Sequence, residues 1–127
     1  MILIIGGAYQ GKRDFARREL GAKAIRDWAD IDGGMDEYIL DGDGVCGLEA
    51  FARECVRSDV EASDWFRERE EDWADKILIM GDISQGIVPT DPELRAWREM
   101  NGRLMLYLAG EADEVIRVFC GIGKRIG

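Results

Sequence analysis

The sequence contains no histidine, and this absence narrows the chemistry open to the chain. Without imidazole there is no Ser-His-Asp or Cys-His arrangement to activate a nucleophile, and no histidine general base or metal ligand. A covalent phosphohistidine or nucleotidyl-histidine intermediate is excluded for the same reason.

A surplus of positive charge is missing as well. Lys and Arg total 17 against 26 Asp and Glu, which gives a formal net charge of −9. A protein that neutralises the phosphates of duplex nucleic acid needs a basic face, so we expect no nucleic-acid partner. A small anionic ligand stays open, because it responds to the local field rather than to the total charge.

Cysteines and long apolar runs are also scarce. Cys46, Cys55 and Cys120 form no Cys-x-x-Cys pair, which predicts free or buried thiols in a reducing cytoplasm rather than disulfides or a zinc site. Only four apolar residues follow Met1 before the first glycine, and no basic residue precedes them. We therefore expect neither a signal peptide nor a membrane span, and a cytoplasmic location.

What the sequence does contain is an alternation of strand-like apolar runs and amphipathic helical patterns. Its 127 residues, 46% of them hydrophobic, predict one domain with a single core over residues 1–127. Runs rich in apolar residues predict strands at residues 2–5, 76–80 and 114–119, and a weaker pattern predicts one at 37–40. Helical patterns lie between them at residues 48–56, 62–73 and 90–109. This order predicts an α/β fold with a small, mostly parallel sheet of about four strands.

A glycine-rich loop (residues 6–13) follows the first predicted strand directly. It reads Gly-Gly-Ala-Tyr-Gln-Gly-Lys-Arg, and Gly6, Gly11 and Lys12 match the G-x-x-x-x-G-K core of a Walker A phosphate-binding loop. Glycines let several backbone N–H groups converge on a phosphate, and the N-terminus of the next helix adds its dipole. Lys12 would reach the β- and γ-phosphates of a nucleotide. The alternative is a strand-to-helix turn that binds no ligand.

Position 13 departs from the Walker A pattern, because arginine replaces the serine or threonine that normally ligates Mg²⁺. A water molecule could fill that vacancy, since Mg²⁺ keeps several waters in proteins. A guanidinium beside the metal would nevertheless repel it. Arg13 either pairs with phosphate oxygens and takes over part of the neutralising role of the metal, or points to solvent.

Two carboxylates and three arginines are candidates to serve the glycine-rich loop. Asp41 ends the second predicted strand and Asp82 follows the third, so both are expected at the carboxyl edge of the sheet, where α/β proteins bind ligands. Either could hold Mg²⁺, and the alternative for each is an ordinary turn residue. Arg95, Arg98 and Arg103 lie on the last predicted helix, where they either bind phosphate or form a solvated face.

Motifs in the second half of the chain resemble a known enzyme family. They are Gly-Ile-Val-Pro at 86–89, Arg-x-x-Arg at 95–98, Gly-Arg at 102–103 and Ala-Asp-Glu-Val at 112–115. In this order, and with the loop GGAYQGKR, they resemble the adenosylcobinamide kinase / adenosylcobinamide-phosphate guanylyltransferase family. The resemblance is strong over residues 76–123, moderate over 1–20 and weak over 37–48.

The resemblance implies a P-loop, RecA-like three-layer fold and a tendency to form homotrimers. This family phosphorylates the hydroxyl of the aminopropanol arm of adenosylcobinamide, then transfers GMP to that phosphate through a guanylylated histidine. ATP or GTP, with Mg²⁺, is the implied cofactor. From the residues and the resemblance together we predict catalytic roles for Lys12, Asp41 and Arg98, and metal binding by Asp41 and Asp82. The predicted nucleotide-binding residues are Gly6, Gly7, Ala8, Gln10, Gly11, Lys12, Arg13, Asp82, Arg95 and Arg103.

Departures from the family pattern limit these expectations. The family segment that carries a strand and the histidine is missing between Leu20 and Tyr38, so we expect guanylyl transfer to be absent. The family's Asn-Glu becomes Gly-Asp at 81–82 and its Asn-Gln becomes Met-Leu at 105–106, which removes polar groups. We predict a shortened adenosylcobinamide kinase-like protein of cobalamin biosynthesis or salvage. The alternative is a non-catalytic module that keeps the fold and binds a nucleotide or a corrinoid.

Overall fold

A twisted sheet of six strands organises the protein, whose computed structural model describes residues 1–8, 10–28, 42–83 and 90–127. The strands are β1 (Ile2–Gly6), β2 (Ile25–Asp27), β3 (Gly44–Cys46), β4 (Ile77–Gly81), β5 (Glu114–Phe119) and β6 (Ile122–Arg125). Their order across the sheet is β2-β3-β4-β1-β5-β6. All neighbouring strands run parallel except β5 and β6, which are antiparallel.

Helices cover both faces of this sheet and give the fold three layers. They are α1 (Lys12–Leu20), α2 (Leu48–Arg57), α3 (Ala62–Arg67), α4 (Glu70–Trp73) and α5 (Pro92–Glu111). Leu3 of β1 packs with residues of α2, α3, α4 and α5, while its neighbour Ile4 packs with Ala16 of α1. Both strand residues are fully buried, as expected for a parallel strand covered on its two faces. The predicted α/β class with a mostly parallel sheet is confirmed, and it is consistent with a P-loop-like three-layer fold.

The longest helices follow their sequence patterns closely. In α2 the buried side chains recur at helical spacing, and they are Leu48, Phe51, Ala52 and Cys55. Helix α5 is capped by Asp91, whose carboxylate accepts hydrogen bonds from the backbone N–H groups of Glu93 at 2.8 Å and Leu94 at 3.1 Å. The helix therefore begins about two residues after the start of the predicted pattern at 90–109. None of the described helices is long and apolar enough to cross a bilayer.

The strand count differs from the prediction of about four. Strands β2, β3 and β6 were not predicted, and β2 lies in the stretch between Leu20 and Tyr38 where the sequence predicted no strand. Each of the three is only three or four residues long, too short to show a hydrophobic period. The predicted strand at 37–40 lies outside the described residues. The predicted helix at 62–73 is divided into α3 and α4, and Trp73 Nε1 donates a hydrogen bond to the Phe66 carbonyl across the break at 2.7 Å.

Candidate functional site

A cavity of about 600 Å³, which we call the loop cavity, opens at the carboxyl edge of the sheet. Its walls are the second half of the glycine-rich loop, the first turns of α1, the last residues of β2 and β3, and the start of α2. Parallel strands present their carboxyl ends at one edge, and ligands of open α/β sheets bind in the crevice there. The position of this cavity therefore agrees with the sequence prediction for a binding site.

The backbone of the glycine-rich loop is packed against the turn between β5 and β6. Gly11 caps α1 in a left-handed conformation (φ 82°), and an added Cβ would lie 3.3 Å from Gly121 Cα. The Gly121 N–H donates to the Gln10 carbonyl at 2.8 Å, and the Cys120 N–H donates to Gln10 Oε1 at 2.7 Å. Gly11, the N-cap residue, has no side chain to cap the first turn of α1, which leaves the backbone N–H groups there suited to an anion.

The Lys12 side chain connects the two ends of the glycine-rich loop. Its Nζ donates a hydrogen bond to the Gly7 carbonyl at 2.6 Å. Burial lowers the pKa of Lys12 below its ordinary value, while the nearby Glu49 and Cys46 act in the opposite direction. The ammonium thus lies in a partly desolvated position, where its attraction to a phosphate is stronger than in water.

Arg13 turns toward the ends of β2 and β3. Its Nη2 donates to the Asp27 carboxylate and, at 3.0 Å, to Cys46 Sγ. The hydrogen bond to Cys46 is the largest cause of a raised pKa for Arg13, so this side chain stays charged. Burial in turn raises the pKa of the Cys46 thiol, which keeps it in its neutral form.

Glu49 joins the loop cavity to the core of the fold. Its Oε2 accepts a hydrogen bond from the Gly81 N–H at 2.7 Å, and its backbone carbonyl accepts one from Trp97 Nε1 at 2.7 Å. The buried Asn101 donates from Nδ2 to the Gly81 carbonyl at 3.0 Å. These bonds connect the start of α2 and the end of β4 to α5, and they fix a carboxylate on the wall of the loop cavity.

Asp82 lies beside the glycine-rich loop, as the sequence predicts. Its N–H donates to the Gly6 carbonyl at 2.8 Å, and its carboxylate lies 3.8 Å from Arg117 Nη1. Its role as a metal or nucleotide ligand stays a prediction. Asp41, the other predicted metal ligand, lies outside the described residues.

The arginines of α5 are not brought together at the loop cavity. Of the residues described, Arg95 and Arg98 lie on α5 without lining that cavity. Arg103 pairs with Glu61, with Nε to Oε1 at 3.1 Å, and lines a separate cavity of about 460 Å³. The predicted contacts of these arginines with a nucleotide therefore stay predictions, and the geometry of Arg103 favours its pairing with Glu61.

Sequence reasoning missed several side chains of the loop cavity, among them Asp27, Cys46 and Glu49. Asp27 ends a three-residue strand with a single apolar residue, and no periodic signal marks it. Glu49 lies on the first turn of α2, where a carboxylate is an ordinary helix-start residue. Only the position of Cys46 directly before a glycine and a helix could have indicated a strand end.

The residues around Arg13 do not fit a magnesium ion. In P-loop proteins the metal is held by the hydroxyl after the lysine and by an aspartate at the end of a nearby strand. Here the position after the lysine holds the Arg13 guanidinium, β3 ends at the neutral thiol of Cys46, and the carboxylate of Asp27 at the end of β2 is paired with Arg13. Among the described residues, no three carboxylates or thiols are grouped as a metal site requires.

Comparison with known proteins gives one partial similarity. No protein-family model matches the chain. Over 50 residues, the chain is 40% identical to the bifunctional adenosylcobalamin biosynthesis protein CobU of Salmonella typhimurium. The aligned segment covers 39% of this chain and 28% of CobU, so the chain spans little more than a quarter of that curated relative. The similarity agrees with the resemblance noted from the motifs, over this segment only.

Proposed function

We propose that this chain is a nucleotide-binding protein of adenosylcobalamin biosynthesis, and that its glycine-rich loop holds the nucleotide phosphates. One observation carries the proposal: the Lys12 ammonium and the uncapped N-terminus of α1 meet at the loop cavity. Both attract negative charge, and backbone N–H groups at a helix start suit phosphate oxygens. The partial similarity to CobU supplies the biosynthetic context.

The loop is suited to this task before any ligand arrives. Gln10 is held by a bond from the Gly121 N–H to its carbonyl and one from the Cys120 N–H to its Oε1, so little order has to be gained at this residue on binding. The bond from Lys12 to the Gly7 carbonyl keeps the ammonium over the loop. A phosphate oxygen is a stronger hydrogen-bond acceptor than the Gly7 carbonyl, because the phosphate is charged. A bound phosphate would therefore replace this carbonyl as the partner of the Lys12 ammonium.

A second candidate function is phosphoryl transfer from ATP or GTP to the aminopropanol hydroxyl of adenosylcobinamide. The observation that favours it is Glu49, a carboxylate fixed on the wall of the loop cavity near Lys12. A carboxylate in this position can accept the proton of an attacking hydroxyl, while Lys12 neutralises charge on the transferred group. Guanylyl transfer through a histidine is outside this proposal, because the sequence contains none.

Calorimetric titration tests the proposed function. ATP and GTP are titrated, each with and without Mg²⁺, into the wild-type chain, Lys12→Ala and Lys76→Ala. Lys76 is the matched control. It directly precedes β4 at the opposite edge of the sheet, and its Nζ also donates to a backbone carbonyl, that of Gly42. We expect binding by the wild type and Lys76→Ala, and a loss of about tenfold to hundredfold in Lys12→Ala. Absence of binding under every condition would refute the proposal.

Two further expectations of the resemblance are separate proposals. Phosphoryl transfer is tested by incubating the chain with labelled ATP or GTP and adenosylcobinamide and following label in the corrinoid. The homotrimer is tested by sedimentation equilibrium. A chain that binds nucleotide and transfers no phosphate under these conditions would be the non-catalytic module.

A further inference from the structure

The position that follows Lys12 holds an arginine, Arg13. A P-loop normally has a hydroxyl there for Mg²⁺, and Arg13 instead extends a guanidinium to the carboxyl ends of β2 and β3. Only β4 separates β3 from β1, so the contact between Arg13 and Cys46 spans the edge where the metal would be held. A fixed positive charge thus lies in the region where a P-loop usually holds a cation.

The two partners of Arg13 orient the guanidinium and leave part of it for a ligand. Both described bonds, to Asp27 and to Cys46, use Nη2. Arginine also carries donors on Nε and Nη1, in a planar fork that matches two phosphate oxygens. The side chain is 43% exposed and lies on the wall of the loop cavity, where a ligand can approach it.

The positive charge of Arg13 is paired with a single carboxylate. Asp27 is the one carboxylate among its two described partners, and the Cys46 thiol is neutral. Lys12 adds a second positive charge at the same loop. Two fixed cations and a helix N-terminus thus attract phosphate oxygens at the loop cavity, against the opposing charge of Asp14, Asp27 and Glu49 on its wall.

We propose that the Arg13 guanidinium, oriented by Asp27 and Cys46, replaces the divalent cation, so that the glycine-rich loop binds a metal-free nucleoside triphosphate. This rests on the proposed nucleotide binding and specifies the form of the ligand. It concerns binding alone and includes no chemical step.

The test compares the wild-type affinity for ATP, and separately for GTP, in excess EDTA and in excess Mg²⁺. We expect the two dissociation constants to agree within about threefold. Binding that is tighter with Mg²⁺ by more than this overturns the inference and leaves the proposed nucleotide binding standing. Absence of binding in both buffers refutes the proposed function itself, so the two failures are distinguishable.

Variants locate the effect. Arg13→Ala should weaken binding in EDTA by about tenfold to hundredfold, because charge-assisted hydrogen bonds are lost. The matched control is Arg125→Ala, whose side chain is 67% exposed on β6 and pairs with Glu114; we expect no change in affinity. Equal losses in both variants, or none in Arg13→Ala, would contradict the role of Arg13.

A double variant, Arg13→Ser with Cys46→Asp, places a hydroxyl at position 13 and a carboxylate at the end of β3. We expect its binding to become dependent on Mg²⁺ and sensitive to EDTA. Circular dichroism and the melting temperature establish whether it folds. If it does not, Arg13→Lys provides the test, because it keeps the charge and loses the planar fork. We expect Arg13→Lys to bind more weakly than the wild type in EDTA, and unchanged affinity would count against the inference.

Discussion

Lys12 Nζ donates a hydrogen bond to the Gly7 carbonyl at 2.6 Å, and this contact closes the glycine-rich loop on itself. The lysine is the first residue of α1, and the glycine directly follows the end of β1. A strand, a helix start and a partly buried ammonium are therefore connected by one short segment. Any anion that enters the loop cavity competes with the Gly7 carbonyl for this ammonium.

The first prediction concerns pH. Burial lowers the pKa of Lys12 below 10.5, against the opposing effects of Glu49 and Cys46. Between the folded pKa and 10.5, the unfolded chain holds a proton that the folded chain has released, so ligand-free stability should rise with pH there. Nucleotide affinity should fall over the same interval, because the ammonium is lost. Calorimetric titrations at increasing pH measure this decline, and in Lys12→Arg it should disappear, since arginine stays charged. A decline that is identical in both proteins would exclude Lys12 as its source.

The second prediction concerns Glu49→Gln. Glutamine keeps an oxygen that can accept from the Gly81 N–H, so the fold should be retained while a negative charge leaves the loop cavity. We expect nucleotide binding to be equal or tighter, and phosphoryl transfer, if present in the wild type, to fall by about a hundredfold or more. Glu61→Gln is the control, because Glu61 pairs with Arg103 at the separate cavity. Transfer that survives in Glu49→Gln would remove this carboxylate from the mechanism.

The third prediction compares two glycine-to-alanine changes. A Cβ on Gly6 would lie 2.5 Å from the Val118 backbone carbonyl, which cannot move without disturbing β5. We expect Gly6→Ala to lower the free energy of unfolding by about 1–3 kcal/mol. Gly102 lies within α5 with no atom within 4 Å of an added Cβ, so Gly102→Ala should raise it by about 0.5–1 kcal/mol. Urea unfolding curves measure both, and a destabilised Gly102→Ala would show that this glycine is needed for something other than helix packing.

The fourth prediction concerns the cysteines. Cys120 is exposed, whereas Cys46 and Cys55 are buried. Burial raises the pKa of Cys55 to about 12, so almost no thiolate is present at neutral pH. Iodoacetamide should therefore modify Cys120 well before the other two in the folded chain, and all three should react after unfolding. Peptide mass spectrometry gives the order, and early labelling of Cys55 would contradict the packing of α2.

Much of the fold was accessible from the sequence because its longer elements carry strong patterns. The apolar run of β1 and the stripe of α2 are confirmed within a residue or two, and β5 agrees at both ends. The apolar pattern of these elements follows from their burial, so it can be recognised from the order of residues. The edge strands β2 and β6 were not predicted, because such short and partly exposed segments show no regular hydrophobic pattern.

The candidate site was only partly predictable. The glycine-rich loop is local in sequence, so its residues could be recognised together. Asp27 and Cys46 reach Arg13 through strand pairing, from 14 and 33 residues away along the chain, and no spacing rule predicts such contacts. Likewise, the pairing of Arg103 with Glu61 depends on which face of α5 packs against α3. A sequence motif does not determine that packing.

Amide chemical-shift mapping shows where a nucleotide binds on the folded chain. It therefore tests whether the glycine-rich loop holds the nucleotide phosphates. ATP is added to the isotope-labelled wild-type protein, and shifts of backbone N–H resonances are followed to saturation. If the glycine-rich loop holds the phosphates, the largest changes fall on Gly7, Gly11 and Lys12, with little change at Glu61 or Arg103. Changes concentrated at the separate cavity, or none at saturating nucleotide, would contradict it.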